Sequence, residues 1–398
     1  MQKGLSADHF FETDASAQRR ERQAAKSANK NGNPISLKSK PLAAILDLGS
    51  PSSLLVAESS GTVRRVNTET QDTKQVYRGP TAPVTCVALG GPGNQTLFAG
   101  SWDKDIWSWD VSSKAPGRKY SGHSDFVKAV VCTKLGGKDI LISGGADKKI
   151  IVWDVATGSR LHVLQDQVVS MMAVQHLAVD PVSSGPDEVI LVSSGSDPHI
   201  RRWRIRVDSA EQIIETLPNE SEARYAILEH ETTVYRLFFD QQGDEVDLWT
   251  ASGDGTAKCL SRARNYAVED TIEHGDHVRT IIATEHWIVT GGRDEDIKVW
   301  DRASGKLYCT LDGHYDEVTD LIVLGGQTTS AAQIASVSLD GTIRTWSLEK
   351  KELDKINQEK LDKANGVEEE NPAEEEKEGL MTAEEEAELA ALLDDDDE

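Results

Sequence analysis

The sequence has few cysteines and no long apolar segment. Its four cysteines, Cys86, Cys132, Cys259 and Cys309, lie far apart and form no CxxC pair. This pattern favours small buried thiols in a reducing compartment over a disulfide framework or a structural zinc site. No stretch approaches the ~18 apolar residues that a membrane-spanning helix requires, and the N-terminus lacks a charged-then-apolar signal pattern. We therefore expect an intracellular protein, in the cytoplasm, the nucleus or both.

Basic residues are scarce as well. The chain has 43 Lys and Arg against 67 Asp and Glu, which gives a formal net charge of -24. Residues 347–398 alone hold 21 acidic and 6 basic residues, whereas residues 1–40 hold 8 basic and 4 acidic residues. A phosphate-backbone footprint needs clustered Lys and Arg. We therefore expect protein partners and no direct nucleic-acid or membrane binding.

An internal repeat is what the sequence does contain. Five times an Asp stands six residues before a Trp, in the pairs Asp103 and Trp109, Asp147 and Trp153, Asp197 and Trp203, Asp294 and Trp300, and Asp340 and Trp346. Around each pair, an apolar stretch, a Gly/Ser/Asp-containing turn and an alternating strand predict a β-hairpin. A third strand and a His-containing turn follow, so that four antiparallel strands recur every ~40 residues, the signature of a propeller blade.

With these motifs the chain resembles the WD40-repeat β-propeller family. The Trp-Asp dipeptide stands at Trp109-Asp110, Trp153-Asp154 and Trp300-Asp301, and Gly-His stands at Gly122-His123 and Gly313-His314. The resemblance implies an all-β fold in which residues 35–346 form one seven-bladed ring. An open ring would leave a sheet edge unpaired. We expect the segment Ile35 to Lys40 to supply the missing outer strand of the seventh blade.

The resemblance also implies a hydrogen-bonded chain of His, Ser or Thr, Asp and Trp within a blade. Such a chain would give the buried carboxylate and the indole N–H the partners that they need. The third, sixth and seventh blades have complete sets, namely His123, Ser143, Asp147 and Trp153; His274, Thr290, Asp294 and Trp300; and His314, Ser336, Asp340 and Trp346.

The other four blades depart from this pattern. The second has Pro80 and Ala99 at the His and Ser positions, and the fourth has Ser170 near the His position. The fifth keeps His230, Thr250 and Asp254 but has Leu260 in place of Trp. The first is recognised by spacing alone, with Ser60 and Val66 at the Asp and Trp positions.

No constellation of residues points to catalysis. The repeated histidines are assigned to the blades, and His274 and His277 lie in a predicted turn rather than on the helix that an HxxH metal site favours. The glycine-rich segment Gly90 to Gly93 lacks the GK[ST] of a phosphate-binding loop. We therefore expect no enzyme activity, no catalytic residue, no cofactor and no metal site.

The His turn and the Asp turn must lie on one face of the ring, because their side chains meet. Residues beside these turns form a candidate partner-binding rim: Trp102, Asp125, Phe126, Asp276, His277, Arg293, Tyr315 and Asp316. Exposed aromatic residues and Arg are typical of binding hot spots. The three aspartates favour a partner with basic groups, although acidic turn residues also serve solubility alone.

The two ends of the chain differ from the repeats. Residues 1–34 form a polar arm, either a docking segment with a helix from about Ala15 to Asn29 or a disordered arm. Residues 347–366 predict a charged helix, and residues 367–398 predict an acidic disordered tail. Within that tail Leu389, Leu392 and Leu393 fall on one helical face, typical of a segment that binds a partner's groove, although a solubilising tail fits equally.

These observations predict a non-enzymatic scaffold, one propeller within an intracellular hetero-complex, with the resemblance favouring RNA processing or ribosome assembly. One alternative is a substrate receptor of a cullin-type ubiquitin ligase. Adaptors of that kind often carry Trp-Asp-x-Arg, which Trp203 to Arg206 and Trp153 to Ala156 match only in part. A second alternative is the non-catalytic subunit of an RNA-modifying or chromatin-modifying enzyme.

Overall fold

Seven four-stranded antiparallel sheets make up the fold. The computed structural model describes residues 20–364 apart from 22, 25, 167–169, 217–222, 244 and 325–332. The first strand of each sheet contacts the first strands of both neighbouring sheets, and these contacts return to the starting sheet after seven steps. The predicted seven-bladed β-propeller is thereby confirmed, with the seven first strands surrounding a central channel.

The first four blades use consecutive segments of the chain. Their strands, in order from the channel outward, are as follows: blade 1, Pro41–Leu46, Ser53–Glu58, Thr62–Asn67 and Gln75–Tyr77; blade 2, Val84–Gly90, Thr96–Ser101, Asp105–Asp110 and Tyr120–Ser121; blade 3, Val127–Leu135, Lys138–Gly145, Ile150–Asp154 and Arg160–Leu164; blade 4, Val174–Val179, Glu188–Gly195, Arg201–Arg206 and Ala210–Gln212.

The last three blades follow the same order until the ring closes. Their strands are as follows: blade 5, Val234–Gln242, Glu245–Ser252, Thr256–Ser261 and Ala267–Glu273; blade 6, Val278–Ala283, Trp287–Gly292, Ile297–Asp301 and Leu307–Leu311; blade 7, Val318–Leu324, Gln333–Ser338, Thr342–Ser347 and, as the outer strand, Ile35–Ser36. Between blades 4 and 5 the chain adds a small hairpin, Glu215–Thr216 with Ala223–Arg224.

The outer strand of blade 7 closes the ring as the sequence predicts. Ile35 pairs with Ile343 and Ser36 with Thr342 in antiparallel register, so the strand covers two of the six expected residues. Before it, the Thr345 N–H donates to the Gly32 carbonyl at 2.7 Å. Gly32 has a φ of +69°, and a Cβ there would stand 2.8 Å from the Trp346 ring, so only glycine fits.

The turn after each repeat aspartate explains why the hairpins form. The residue that follows the aspartate, or Ser60 in blade 1, has a positive φ in six blades: Gly61, Lys104, Lys148, Gly255, Glu295 and Gly341. Glycine adopts this conformation without strain, whereas Lys and Glu do so at a cost. In blades 5 and 7 the aspartate accepts a hydrogen bond from the backbone two residues later, at 2.9 Å in blade 5 and 2.7 Å in blade 7. These contacts fix the turn and the register of the two strands it joins.

The first strand of each blade contains a β-bulge, one extra residue that has no counterpart on the second strand. These bulged residues occupy the second position of the strand and are Leu42, Thr85, Lys128, Gln175, Tyr235, Arg279 and Thr319. A β-bulge redirects the side chain of the extra residue. All seven line a cavity of about 710 Å³ at the central channel. We call these seven residues the bulge ring.

Helical structure lies at both ends of the described chain. Residues 20, 21, 23, 24, 26 and 27 are helical, within the range predicted for the arm. After blade 7, Lys350–Ala364 forms a 15-residue helix, in agreement with the predicted charged helix. Its Leu353 is fully buried, and Trp287 donates its indole N–H to the Leu348 carbonyl at 2.9 Å. The start of this helix is thus anchored by packing.

Candidate functional site

Blade 3 contains a continuous hydrogen-bonded chain of four side chains. Trp153 Nε1 donates to Ser143 Oγ at 2.9 Å, and Ser143 Oγ lies 2.8 Å from His123 Nε2. His123 Nδ1 lies 2.9 Å from Asp147 Oδ1. A neutral imidazole with its proton on Nδ1 satisfies both ring contacts, since Ser143 then donates and Asp147 accepts. The four residues thus link the turn that contains His123 to the second and third strands of the blade.

Blades 6 and 7 contain the same chain with one difference. In blade 7, His314 Nδ1 lies 2.8 Å from Asp340 and Nε2 lies 2.7 Å from Ser336. In blade 6 the ring is reversed, with His274 Nδ1 2.9 Å from Thr290 and Nε2 3.0 Å from Asp294. Trp300 and Trp346 complete the chains through indole N–H donors at 2.8 and 2.9 Å respectively.

The electrostatic consequence is a set of ionised carboxylates inside the turns. Burial raises the pKa of Asp294, but the hydrogen bond from His274 and the Lys298 ammonium outweigh it and hold the pKa at about 2. Burial likewise raises the pKa of Asp147, but the hydrogen bonds from His123 and the Ser124 N–H outweigh it and lower the pKa. Burial lowers the pKa of His314 despite the nearby Asp340. At pH 7 the His314 imidazole is therefore neutral, and the carboxylates of Asp147 and Asp294 are charged.

Blade 4 satisfies its aspartate with a different partner. Ser170, predicted near the His position, is exposed. Asp197 instead pairs with Arg201 on the third strand, whose Nη1 and Nη2 atoms each lie 3.1 Å from a carboxylate oxygen. Arg201 Nε also donates to Asp166 at 2.6 Å. Trp203 keeps the expected hydroxyl partner, Ser193, at 2.8 Å. The sequence interpretation missed Arg201 because it looked for the partner only in the preceding turn.

The remaining blades use parts of the network. In blade 5, His230 contacts Asp254 at 2.8 Å and Thr250 at 2.7 Å, without a Trp to complete the chain. In blade 2, Trp109 donates to the Arg78 carbonyl, and Asp103 instead accepts from Trp107 Nε1 at 2.9 Å. Blade shape therefore survives partial loss of the network, since backbone pairing and apolar packing remain.

The most prominent feature of the predicted rim is a stacked aromatic pair. Trp102 and Phe126 come from the turns of blades 2 and 3, and their ring centroids lie 4.9 Å apart with the planes inclined by 15°. The two side chains are 42% and 38% exposed. Two large rings that stack on each other and still face solvent offer a rigid apolar contact surface.

A second group of rim residues lies at blade 6. Arg293 Nη1 is 3.3 Å from His277 Nδ1, and His277 is 3.8 Å from the Asp276 carboxylate. Tyr315, by contrast, donates its hydroxyl to the Asp340 carbonyl at 3.0 Å, which ties it to the turn of blade 7. The predicted rim residues thus fall into separate groups.

The three rim aspartates have a local structural role. Each accepts a hydrogen bond from the backbone N–H of the next residue: Asp125 at 2.8 Å, Asp276 at 2.7 Å and Asp316 at 2.9 Å. Asp316 also pairs with Lys40 at 3.6 Å. These contacts stabilise the turns, so recognition of a basic partner by these aspartates stays a prediction.

Inside the rim the channel carries cations that the sequence interpretation did not single out. The bulge ring contributes Lys128 and Arg279, and Arg236 lines the same cavity. Lys128 and Arg279 stand five residues after His123 and His274, so a fixed spacing from the repeat His could have located them. Strand alternation could not, because a bulge shifts the register by one residue.

A different cavity, of about 890 Å³, contains the metal-compatible cluster found among the described residues. Its members are Asp247, Cys259 and Glu269, with ligand atoms within 4.8 Å of one another. Burial, and then the nearby carboxylates, raise the pKa of Cys259 to about 12. A metal ion bound here would have to displace the proton of the Cys259 thiol. The predicted tail residues Leu389, Leu392 and Leu393 lie outside the described residues.

Comparisons with known proteins agree with this architecture. A family model for the WD domain, G-beta repeat, matches residues 71–110, 269–301 and 305–347. A model described as the WD40 domain of the tRNA methyltransferase TRM82 matches residues 119–223, which include blades 3 and 4. An uncharacterized WD repeat-containing protein of Schizosaccharomyces pombe is 32% identical over 351 residues, covering 86% of this chain and 89% of that protein.

This chain belongs to the WD40-repeat family. A more distant relative, the nuclear distribution protein PAC1 of Arthroderma benhamiae, is 27% identical over 306 residues, 75% of this chain and 56% of that protein. The Denticleless protein homolog of Danio rerio is 24% identical over 295 residues, 65% of this chain and 44% of that protein. The chain thus spans about half the length of these two relatives.

Among the described residues, no helix is both long and apolar enough to span a bilayer.

Proposed function

We propose that this chain is a non-catalytic subunit that binds a partner protein through the Trp102–Phe126 pair of its rim. The exposed stack of these two rings is the observation that carries the proposal. Aromatic residues lose little side-chain entropy on binding and contribute large contact areas. Propellers of this family generally act as platforms for protein–protein interaction, and the hydrogen-bonded histidines of the blades are occupied by structural contacts.

We further propose that the partner is an RNA-modifying enzyme, with a tRNA methyltransferase as the first candidate. The match of residues 119–223 to a tRNA methyltransferase WD40 domain supports this choice. The matched segment includes Phe126, one half of the aromatic pair. A role inside the cell, within a hetero-complex, is part of the same proposal. The acidic protein would then leave RNA binding to its partner.

The ligase-receptor alternative has less support. Arg206, the terminal Arg of the partial Trp-x-x-Arg match, is paired with Glu188 on the neighbouring strand at 2.6 Å. This contact draws the guanidinium to its own blade rather than toward a partner.

The test is co-purification of the full chain with the tRNA methyltransferase of the same organism. The double variant Trp102→Ala/Phe126→Ala should lose the methyltransferase, whereas Leu307→Ala, which removes an exposed apolar side chain from the outer strand of blade 6, should retain it. Melting temperatures near that of the wild type would establish that both variants are folded.

Three results would contradict the proposal in different ways. Retention of the methyltransferase by the double variant would show that the rim assignment is wrong. Association with a ubiquitin-ligase linker protein in place of the methyltransferase would favour the receptor alternative. The isolated chain should show no methyl transfer to tRNA, and activity of the chain alone would refute a non-catalytic role.

A further inference from the structure

The charged side chains at the channel mouth of this acidic protein are mainly cations. The chain has a formal net charge of -24. The charged residues that line the channel cavity are nevertheless Lys128, Arg236 and Arg279, with Asp320 as the single carboxylate among the described lining residues. His176 lies in the same cavity. Such a local excess of positive charge inside a negative molecule requires compensation.

The carboxylates near the mouth do not fully supply that compensation. Asp320 receives Arg236 Nη1 at 3.3 Å, but it also accepts the Ala44 N–H at 3.1 Å and the Leu321 N–H at 3.0 Å. Glu317 pairs with Arg279 at 2.6 Å. Lys128 makes no ion pair or hydrogen bond with any residue that the structure describes. One ammonium group therefore remains without a counter-charge.

Donor groups of the neighbouring residues are also left without acceptors. Arg236 Nε and His176 Nδ1 are buried and have no hydrogen-bond partner among the described residues. By contrast, uncharged polar members of the bulge ring find partners: Thr85 donates to the Val127 carbonyl at 2.6 Å, and Gln175 to Ser196 at 2.7 Å. The unsatisfied groups are thus concentrated on the basic side chains.

We propose that the channel mouth binds a small oxyanion, a carboxylate or a phosphate group, through Lys128, Arg236 and Arg279. The β-bulges aim Lys128 and Arg279 into the channel from blades 3 and 6, and Arg236 follows the bulged Tyr235 in blade 5. Tyr235 fixes the guanidinium of Arg279, which lies 4.1 Å above its ring. An anion between these groups would accept charge-assisted hydrogen bonds from several directions.

The pKa shifts of Lys128 and His176 reflect the burial and the positive charge of the site. Burial lowers the pKa of Lys128, and the charge of Arg279 lowers it further. Burial, and then Arg236, hold the pKa of His176 well below its ordinary value. A bound anion would oppose both effects, since it favours the charged form of each neighbour.

This proposal goes beyond partner binding at the rim and is tested on the full chain alone. Calorimetric titration with sodium phosphate and with sodium citrate, against sodium chloride at equal ionic strength, should give saturable binding and a raised melting temperature for at least one oxyanion. The anion that binds more tightly distinguishes a phosphate from a carboxylate ligand.

The matched variants lie on one strand. Lys128→Met and Lys128→Gln should weaken the binding about tenfold, the loss expected for one charge-assisted hydrogen bond. Lys128→Arg should retain it. Lys134→Met, which removes an exposed lysine from the same strand of blade 3, should leave it unchanged. Failure of both anions to saturate the wild type, or equal affinity in the wild type and Lys128→Met, would overturn the proposal.

Discussion

Blades 3 and 4 are neighbours that both contain a buried aspartate and a buried indole N–H, but they give the aspartate different partners. Both have an Asp six residues before a Trp, and both indole N–H groups donate to a serine hydroxyl, at 2.9 and 2.8 Å. In blade 3 a histidine links that serine to Asp147. In blade 4 the chain is divided, because Asp197 pairs with Arg201, which also contacts Asp166. Where a blade has the buried carboxylate, the fold satisfies it with different partners.

The difference predicts different responses to mutation. The network of blade 3 consists of hydrogen bonds around an imidazole. The network of blade 4 is a buried ion triad of Arg201, Asp166 and Asp197. Removing one partner from a buried ion pair leaves a charge without compensation, which costs more than the loss of one neutral hydrogen bond.

The largest effect is expected in blade 4. Arg201→Met should lower the free energy of unfolding by about 3–5 kcal/mol, because it leaves the buried Asp166 and Asp197 without the guanidinium between them. Urea unfolding of the purified chain measures this change. Arg204→Met on the same strand, where the ion pairs are partly exposed, should cost less than about 1 kcal/mol. Equal costs for the two variants would show that the triad has no special role.

A smaller effect is expected in blade 3. Asp147→Ala should destabilise the chain by about 1–3 kcal/mol, because it leaves His123 and the Ser124 N–H without their acceptor. Asp103→Ala in blade 2 is the matched control and should cost less, since that carboxylate is only half-buried and accepts from the Trp107 indole. An unchanged unfolding curve for Asp147→Ala would show that the network of blade 3 does not stabilise the ring.

The smallest effect concerns pH. In the folded chain, burial and Arg236 hold the pKa of His176 well below its ordinary value of 6.5. The unfolded chain therefore binds the additional proton as the pH falls below 6.5, and stability that is present at higher pH is lost. His176→Asn should reduce the fall in melting temperature between pH 7.5 and pH 5.5. An identical fall in both proteins would contradict the shift at this histidine.

The sequence predicts the ring because its signals repeat. The Asp–Trp spacing places five hairpins, the strand alternation extends them to blades, and the short strand at Ile35 follows from the unpaired edge of blade 7. The sequence also indicates the helix Lys350–Ala364, because its charged composition shows no alternation typical of a strand. These features depend on local sequence and on the requirement for paired backbone groups.

The candidate site is less accessible from the sequence. Arg201 contacts Asp166 across 35 positions, and no local pattern encodes that pairing. The bulge ring depends on a register shift that repeats in seven blades but involves six different residue types. The stacking of Trp102 on Phe126 joins two separate turns. The grouping of the predicted rim residues and the cations of the channel therefore required the fold, and the rim as a binding site stays a prediction.

The pairing of Ile35 with Ile343 also sets the order in which the molecule is completed during its synthesis. The two partners leave the ribosome roughly 15–60 s apart at ordinary elongation rates. Throughout that interval the closing strand has no strand of blade 7 to pair with, and its unpaired edge is open to other chains. A messenger truncated before the codon for Thr342 would yield six blades with no means of closing.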